Sequence, residues 1–105
     1  MILATAKSKN NVLIRLTNER WKHIIFYHKE FTLKDFKTVL RIVESPSVIF
    51  LGAKGELLAA TRYRKKKWVV VVYREVGKKD GFILTAYFVT DIKWLFRKKI
   101  VWTKK

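Results

Sequence analysis

The chain has no cysteine, one proline, four glycines and one methionine among its 105 residues. Without thiols it can build neither a disulfide framework nor a cysteine-ligated zinc or iron–sulfur site, and thiol catalysis is excluded with them. Acidic residues are scarce as well, with 8 Asp+Glu against 24 Lys+Arg. A carboxylate cluster for a divalent cation is therefore hard to assemble, and no metal or other cofactor is expected. The four glycines form none of the phosphate-cradling motifs. Long hydrophobic runs are missing too. The longest, Trp68 to Tyr73, is far short of the ~20 apolar residues that a membrane-spanning helix needs. The stretch from Met1 to Lys7 lacks the charged segment and sustained apolar core of a secretory signal. The expected location is cytoplasmic, with no membrane partner.

What is present is charge and aromatic surface. The formal net charge is +16, yet half of the residues are hydrophobic and 14% are aromatic, a composition for a packed domain and not for a disordered basic tail. The length supports one modest core, so residues 1–105 are expected to form a single domain. Self-repulsion at this charge opposes compaction, and proteins this basic usually have a polyanionic partner.

Periodicity divides the chain at Pro46. Before it, Thr17 reads as an N-cap for a helix to His28 with Trp21, Ile24, Ile25 and His28 on one stripe. Thr32 caps a second helix, with Asp35 in its first turn and Leu33, Phe36, Val39, Leu40 and Val43 on its apolar side. Residues 11–16 suit a short extended segment. After Pro46, Val, Ile, Tyr and Phe dominate short runs separated by glycine or charge, which predicts strands near 47–51, 56–63, 67–75 and 82–89 joined as hairpins. Trp68-Val-Val-Val-Val-Tyr73 is apolar on both faces and should be central. Residues 91–105 read as a short helix and a basic tail. The expected fold is α+β: two N-terminal helices packed on a four-stranded antiparallel sheet, with a short C-terminal helix.

Several groupings bear on chemistry. His28 lies in the apolar stripe of the first helix and reads as a packed residue. His23 lies beside that stripe with Arg20 and Tyr27 at helical spacing, so a cation, an imidazole and a phenol share a polar strip. On the last predicted strand, alternation puts Ile83, Thr85, Tyr87 and Val89 on one face. Arg62, Arg64, Lys65, Lys66 and Lys67 crowd a predicted hairpin turn, and Arg97, Lys98 and Lys99 add to the field near the C-terminus. Tyr63, Trp68, Trp94 and Trp102 lie next to these cations and offer stacking surfaces beside phosphate-binding charge. A nucleic acid is the polyanion that cations beside stacking aromatics suit. Asp80 and Asp91 are the best carboxylates for a metal-dependent alternative, although Asp80 suits a turn and Asp91 a helix start.

The element order, Arg20-Trp-Lys-His23 on a helix, and Thr85-Ala-Tyr87 on a late strand together resemble the superfamily that groups barnase, EndoU, the colicin tRNases and RelE-type toxins. The pattern is similar to colicin D in its cation-x-x-His and hydroxyl-x-aromatic motifs. Glu19-Arg-Trp-Lys-His-Ile24, Val70-Val-Val-Tyr-Arg-Glu75 and Asp80-Gly-Phe-Ile-Leu-Thr-Ala-Tyr-Phe88 are similar in texture to its small phage-associated branch. The resemblance spans about residues 15–103, with Arg in place of Lys, Thr of Ser and Tyr of Trp relative to colicin D. It implies a RelE- or barnase-like fold and metal-independent RNA cleavage by 2′-hydroxyl attack. It implies also His23 as general acid or base, Arg20, Thr85 and Tyr87 on the phosphate, and an acidic antitoxin that restrains the enzyme. A non-catalytic RNA- or DNA-binding module of the same fold is the alternative.

Overall fold

A computed structural model describes residues 1–104. Its elements are β1 (Ile2–Lys7), β2 (Leu13–Thr17), α1 (Asn18–Tyr27), α2 (Phe36–Glu44), β3 (Val48–Leu51), β4 (Leu57–Arg64), β5 (Lys67–Val76), β6 (Asp80–Val89) and β7 (Lys99–Thr103). Single 3-10 turns at Leu33–Asp35 and Leu95–Arg97 complete the order. The strands form one seven-stranded sheet in the order β1-β2-β6-β5-β4-β3-β7. All pairings are antiparallel except β2 with β6, which is parallel.

This corrects the expected architecture. The sheet is seven-stranded and mixed, not four-stranded and antiparallel, and the helices follow a hairpin instead of opening the fold. The β1–β2 hairpin turns at Asn10-Asn11, where Asn11 takes φ 63°, a left-handed conformation that asparagine tolerates better than most residues. The expected basic tail contains β7, which pairs with β3 from Val48↔Thr103 to Leu51↔Lys99 and covers that strand's outer edge. The expected C-terminal helix shrinks to the turn at Leu95–Arg97.

Where local chemistry decides the element, expectation and structure agree. Thr17 caps α1 through its Oγ1, which accepts from the Arg20 N–H at 3.1 Å. At Thr32 the expectation shifts: its N–H donates to Asp35 Oδ2 at 2.7 Å, fixing a 3-10 turn over Leu33–Asp35, and α2 begins only after it at Phe36. β5 is the fourth of seven strands and is apolar on both faces.

Both faces are covered, by different means. On one, Trp21 and Ile24 of α1 and Val39, Leu40, Ile42 and Val43 of α2 pack on Val69, Val71, Tyr73, Ile83 and Ala86. On the other, Ile92 and Leu95 press on Val48, Phe50, Leu58, Ala60, Val70 and Val72. The chain between β6 and β7 therefore runs as a strap across the second face from the third strand position to the seventh. Among the described residues no helix is long and apolar enough to cross a membrane.

Candidate nucleic-acid interface

The position of α1 follows from β2, which pairs with β6 over only three residues, Leu13↔Asp80, Ile14↔Gly81 and Arg15↔Phe82. Gly81 permits that approach: a Cβ there would lie 2.4 Å from the Arg74 carbonyl oxygen and 2.7 Å from Ile14 Cδ1. Arg15 Nη2 binds Asp80 Oδ2 at 3.0 Å beside the same join. Beyond Phe82, β6 has no strand partner on this side among the described residues, and α1 leads off from the end of β2.

A bulge then re-aims the residues of β6. Val72 pairs with Thr85 while Tyr73 pairs with Ile83, so Leu84 is the extra residue. Ile83 consequently packs with the helices, whereas Tyr87 and Val89 pack against the strap-side core. Thr85, opposite the strap-side Val72, shares their face. The expectation that Ile83 joins Thr85, Tyr87 and Val89 fails at this one inserted residue. Tyr87 is half-buried, and burial, with a smaller contribution from the Glu56 charge, raises its phenol pKa above the ordinary value.

The four residues expected to act together fall into two groups. Arg20 and His23 line a shallow cleft of about 200 Å³ with Thr17 and Glu19. His23 is exposed and its ring lies 4.6 Å from that of Tyr27. Glu19 binds the N-terminal ammonium at 3.4 Å, and backbone hydrogen bonding, followed by that ammonium, lowers its carboxyl pKa. Thr85 and Tyr87 do not line this cleft. The imidazole near Tyr87 is that of His28, at a ring separation of 6.0 Å. His28 closes α1 as its C-cap, its N–H donating to the Ile24 carbonyl at 2.8 Å, and its side chain is half-buried. Sequence periodicity put His28 in the apolar stripe. The signal that would have found it is the free edge of β6, which depends on the β2–β6 register.

The cations lie in two places, one group at the β4–β5 turn near the end of β6 and one at the far edge of the sheet, beside β7. Arg62 pairs with Trp68, and Trp68 with Val89, so all three stand in a row on the strap side of β4, β5 and β6. Neighbouring strands are about 4.8 Å apart, which puts Arg62 two strands, about 10 Å, from Val89. Arg64 stacks on Tyr63 at 5.3 Å, and Lys65 and Lys66 form the exposed turn, with Lys66 at φ 62°. Lys67 is committed: it pairs with Glu30 and lies 4.8 Å over the Phe88 ring. Arg97 and Lys99 are exposed and Lys98 half-buried where the strap ends.

Asp80 and Asp91 lie beyond reach of one another. They flank the two ends of the ten-residue β6, a span of about 30 Å at ~3.3 Å per residue. Asp80 binds Arg15, and Asp91 Oδ1 accepts from the Lys93 N–H at 3.0 Å. Among the described residues no group of three or more His, Asp or Glu side chains is placed to hold a metal ion.

No family model, curated protein or solved structure matches the chain.

Proposed function

We propose first that the protein binds single-stranded nucleic acid along the strap side of β4, β5 and β6. Exposed Arg62, Arg64, Lys65 and Lys66 supply the electrostatics, and Arg97 and Lys99, at the β7 edge, extend the positive field. Trp68 and Tyr87 lie within that surface, and their rings suit contact with bases or sugars.

Within that class, the particular reading is a cytoplasmic, metal-independent endoribonuclease, the toxin of a toxin–antitoxin pair. The observation that carries it is the placement of His28 beside Tyr87, a strand neighbour of Thr85, in a chain of charge +16. Imidazole gives and takes protons near neutral pH. His28 takes the proton of the ribose 2′-hydroxyl as its oxygen attacks the adjacent phosphorus. The P–O5′ bond breaks, and the departing 5′-oxygen takes a proton from water, leaving a cyclic phosphate and a 5′-hydroxyl, while the His28 imidazolium returns its proton to solvent. Thr85 and Tyr87 donate hydrogen bonds to the phosphoryl oxygens, and Arg62 offsets the charge that the phosphorane gains. A separate acidic antitoxin covers the cationic surface and blocks it.

The second reading, favoured by the shared cleft of Arg20 and His23, gives the proton transfer to His23. His28→Gln and His23→Gln decide between them: the variant that loses cleavage of total RNA in EDTA names the imidazole. Loss in neither contradicts both assignments. If the wild type binds RNA and releases no products, the protein is a binding module.

A further inference from the structure

A second cleft lies on the helix side of the sheet near the opposite edge, away from the strand that carries Thr85 and Tyr87. It has two lobes that share Lys9 and Trp102. One, of about 350 Å³, is lined by Asn10, Glu75 and Leu57 besides the shared pair. The other, of about 440 Å³, is lined by Ser45, Thr103 and Lys104. Each has the size of a small-ligand site. Between them, Lys9 Nζ stands 5.1 Å over the centroid of the Trp102 ring.

The loop that carries Lys9 is tied down from beneath. Ser8 Oγ donates to Glu75 Oε2 at 2.5 Å and Asn10 Nδ2 to Glu75 Oε1 at 2.9 Å, while the Ser8 backbone N–H donates to the Val12 carbonyl at 2.9 Å. Lys9 is thereby held between two anchored neighbours. Among the described residues neither Lys9 nor Lys104 has a carboxylate within ion-pair distance. Lys9 stands over the indole and Lys104 lines the adjoining lobe, and each oxygen of the anchored carboxylate keeps a lone pair free for a second donor.

The geometry points to a nucleotide site, independent of whether RNA is cleaved elsewhere. The base stacks on Trp102 in the first lobe, displacing Lys9, because a base stack on indole exceeds an exposed cation–π contact. Its donor edge faces Glu75, which favours guanine, whose ring N–H and amino group are adjacent donors, over uracil, which offers one. The phosphate lies in the second lobe, where Lys104 and the freed Lys9 reach it and, among the described residues, the lining holds no carboxylate. The nucleotide arrives either free or as one residue of a single strand that crosses this edge.

Calorimetric titration of the full chain with guanosine monophosphate, uridine monophosphate and guanosine tests the assignment. An uncleavable 2′-O-methyl hexanucleotide with one guanine among uracils serves as the strand. The guanine nucleotide should bind more tightly than the uracil nucleotide. Trp102→Leu should weaken binding about tenfold, and Trp102→Phe should largely restore it. Lys104→Gln should weaken the nucleotide but not the nucleoside. Thermal unfolding of each variant identifies any loss of fold, in which case the Lys104→Gln comparison carries the decision. Trp102-dependent binding of the hexanucleotide without the mononucleotide assigns the site to a strand. The assignment is overturned if neither probe binds at millimolar concentration, or if a folded Trp102→Leu binds as the wild type does.

Discussion

Gly81→Ala perturbs the join on which the position of α1 depends. The added methyl carbon would lie 2.4 Å from the Arg74 carbonyl oxygen, 2.7 Å from Ile14 Cδ1 and 3.2 Å from Glu75 Cα. Two of these three neighbours are backbone of the central strand β5, which cannot rotate aside, and the carbonyl must retreat by about 0.6 Å to reach even 3.0 Å. Overpacking of this kind costs ~1–3 kcal/mol, from which the lower chain entropy of alanine returns ~0.5–1 kcal/mol. With rigid backbone as the obstacle, a net loss of about 2 kcal/mol is expected, or ~8–16 °C in Tm for a domain of this size. Two other glycines calibrate the result. At Gly52 the methyl meets only the Glu56 carboxylate, the far end of a flexible side chain, so the cost stays within ~1 kcal/mol. At Gly77, with φ +80° and nothing within 4 Å, only the left-handed backbone is penalised, by ~1–2 kcal/mol. Thermal unfolding followed by circular dichroism gives all three values. A Gly81→Ala protein that melts within 3 °C of the wild type, or above Gly52→Ala, would refute the close β2–β6–β5 packing.

Burial raises the phenol pKa of Tyr73 and, less strongly, of Tyr87, each with a nearby carboxylate as the second cause. The folded state thus prefers the neutral phenols, so their stabilising contribution is complete below the ordinary tyrosine value of ~10 and is lost as pH rises above it. Urea midpoints should fall between about pH 10 and 11.5, and Tyr73→Phe should flatten that fall; an unchanged slope contradicts the assignment. Replacing exposed Arg64, Lys65 and Lys66 together by glutamine should lower the slope of log K against log salt for single-stranded RNA by ~2, at ~0.7 per phosphate contact. An unchanged slope would place the RNA elsewhere.

The parts of the fold legible in the sequence are those that neighbours in the chain decide. Thr17 caps α1 where a hydroxyl precedes apolar periodicity, whereas Thr32 opens a 3-10 turn and α2 begins only at Phe36, and the valine run of β5 is central because both of its faces are apolar. What stayed hidden depends on distant pairing. β7 has the composition of a basic tail until β3 supplies a free edge for Ile100 and Trp102 to pair along. β2 has an ordinary alternating pattern, and nothing local says that it joins β6 in parallel across 65 residues. The bulge at Leu84 moves Ile83 to the opposite face from Thr85, which strict alternation does not anticipate. His28 was visible as a member of an apolar stripe, but its place beside Tyr87 follows from the short β2–β6 pairing that leaves the edge of β6 open. Arg20 and His23 were correctly read as sharing one helix face, and the structure keeps them on one cleft apart from Thr85 and Tyr87.

The most direct test of the central claim is end-group analysis of total RNA after incubation with wild-type, His28→Gln and His23→Gln protein in EDTA. The proposed chemistry predicts fragments with cyclic phosphate and 5′-hydroxyl ends from the wild type, and loss of these by at least ~100-fold in His28→Gln, the lower range for removing a general acid–base group. Intact RNA with the wild type, or undiminished cleavage by His28→Gln, contradicts it.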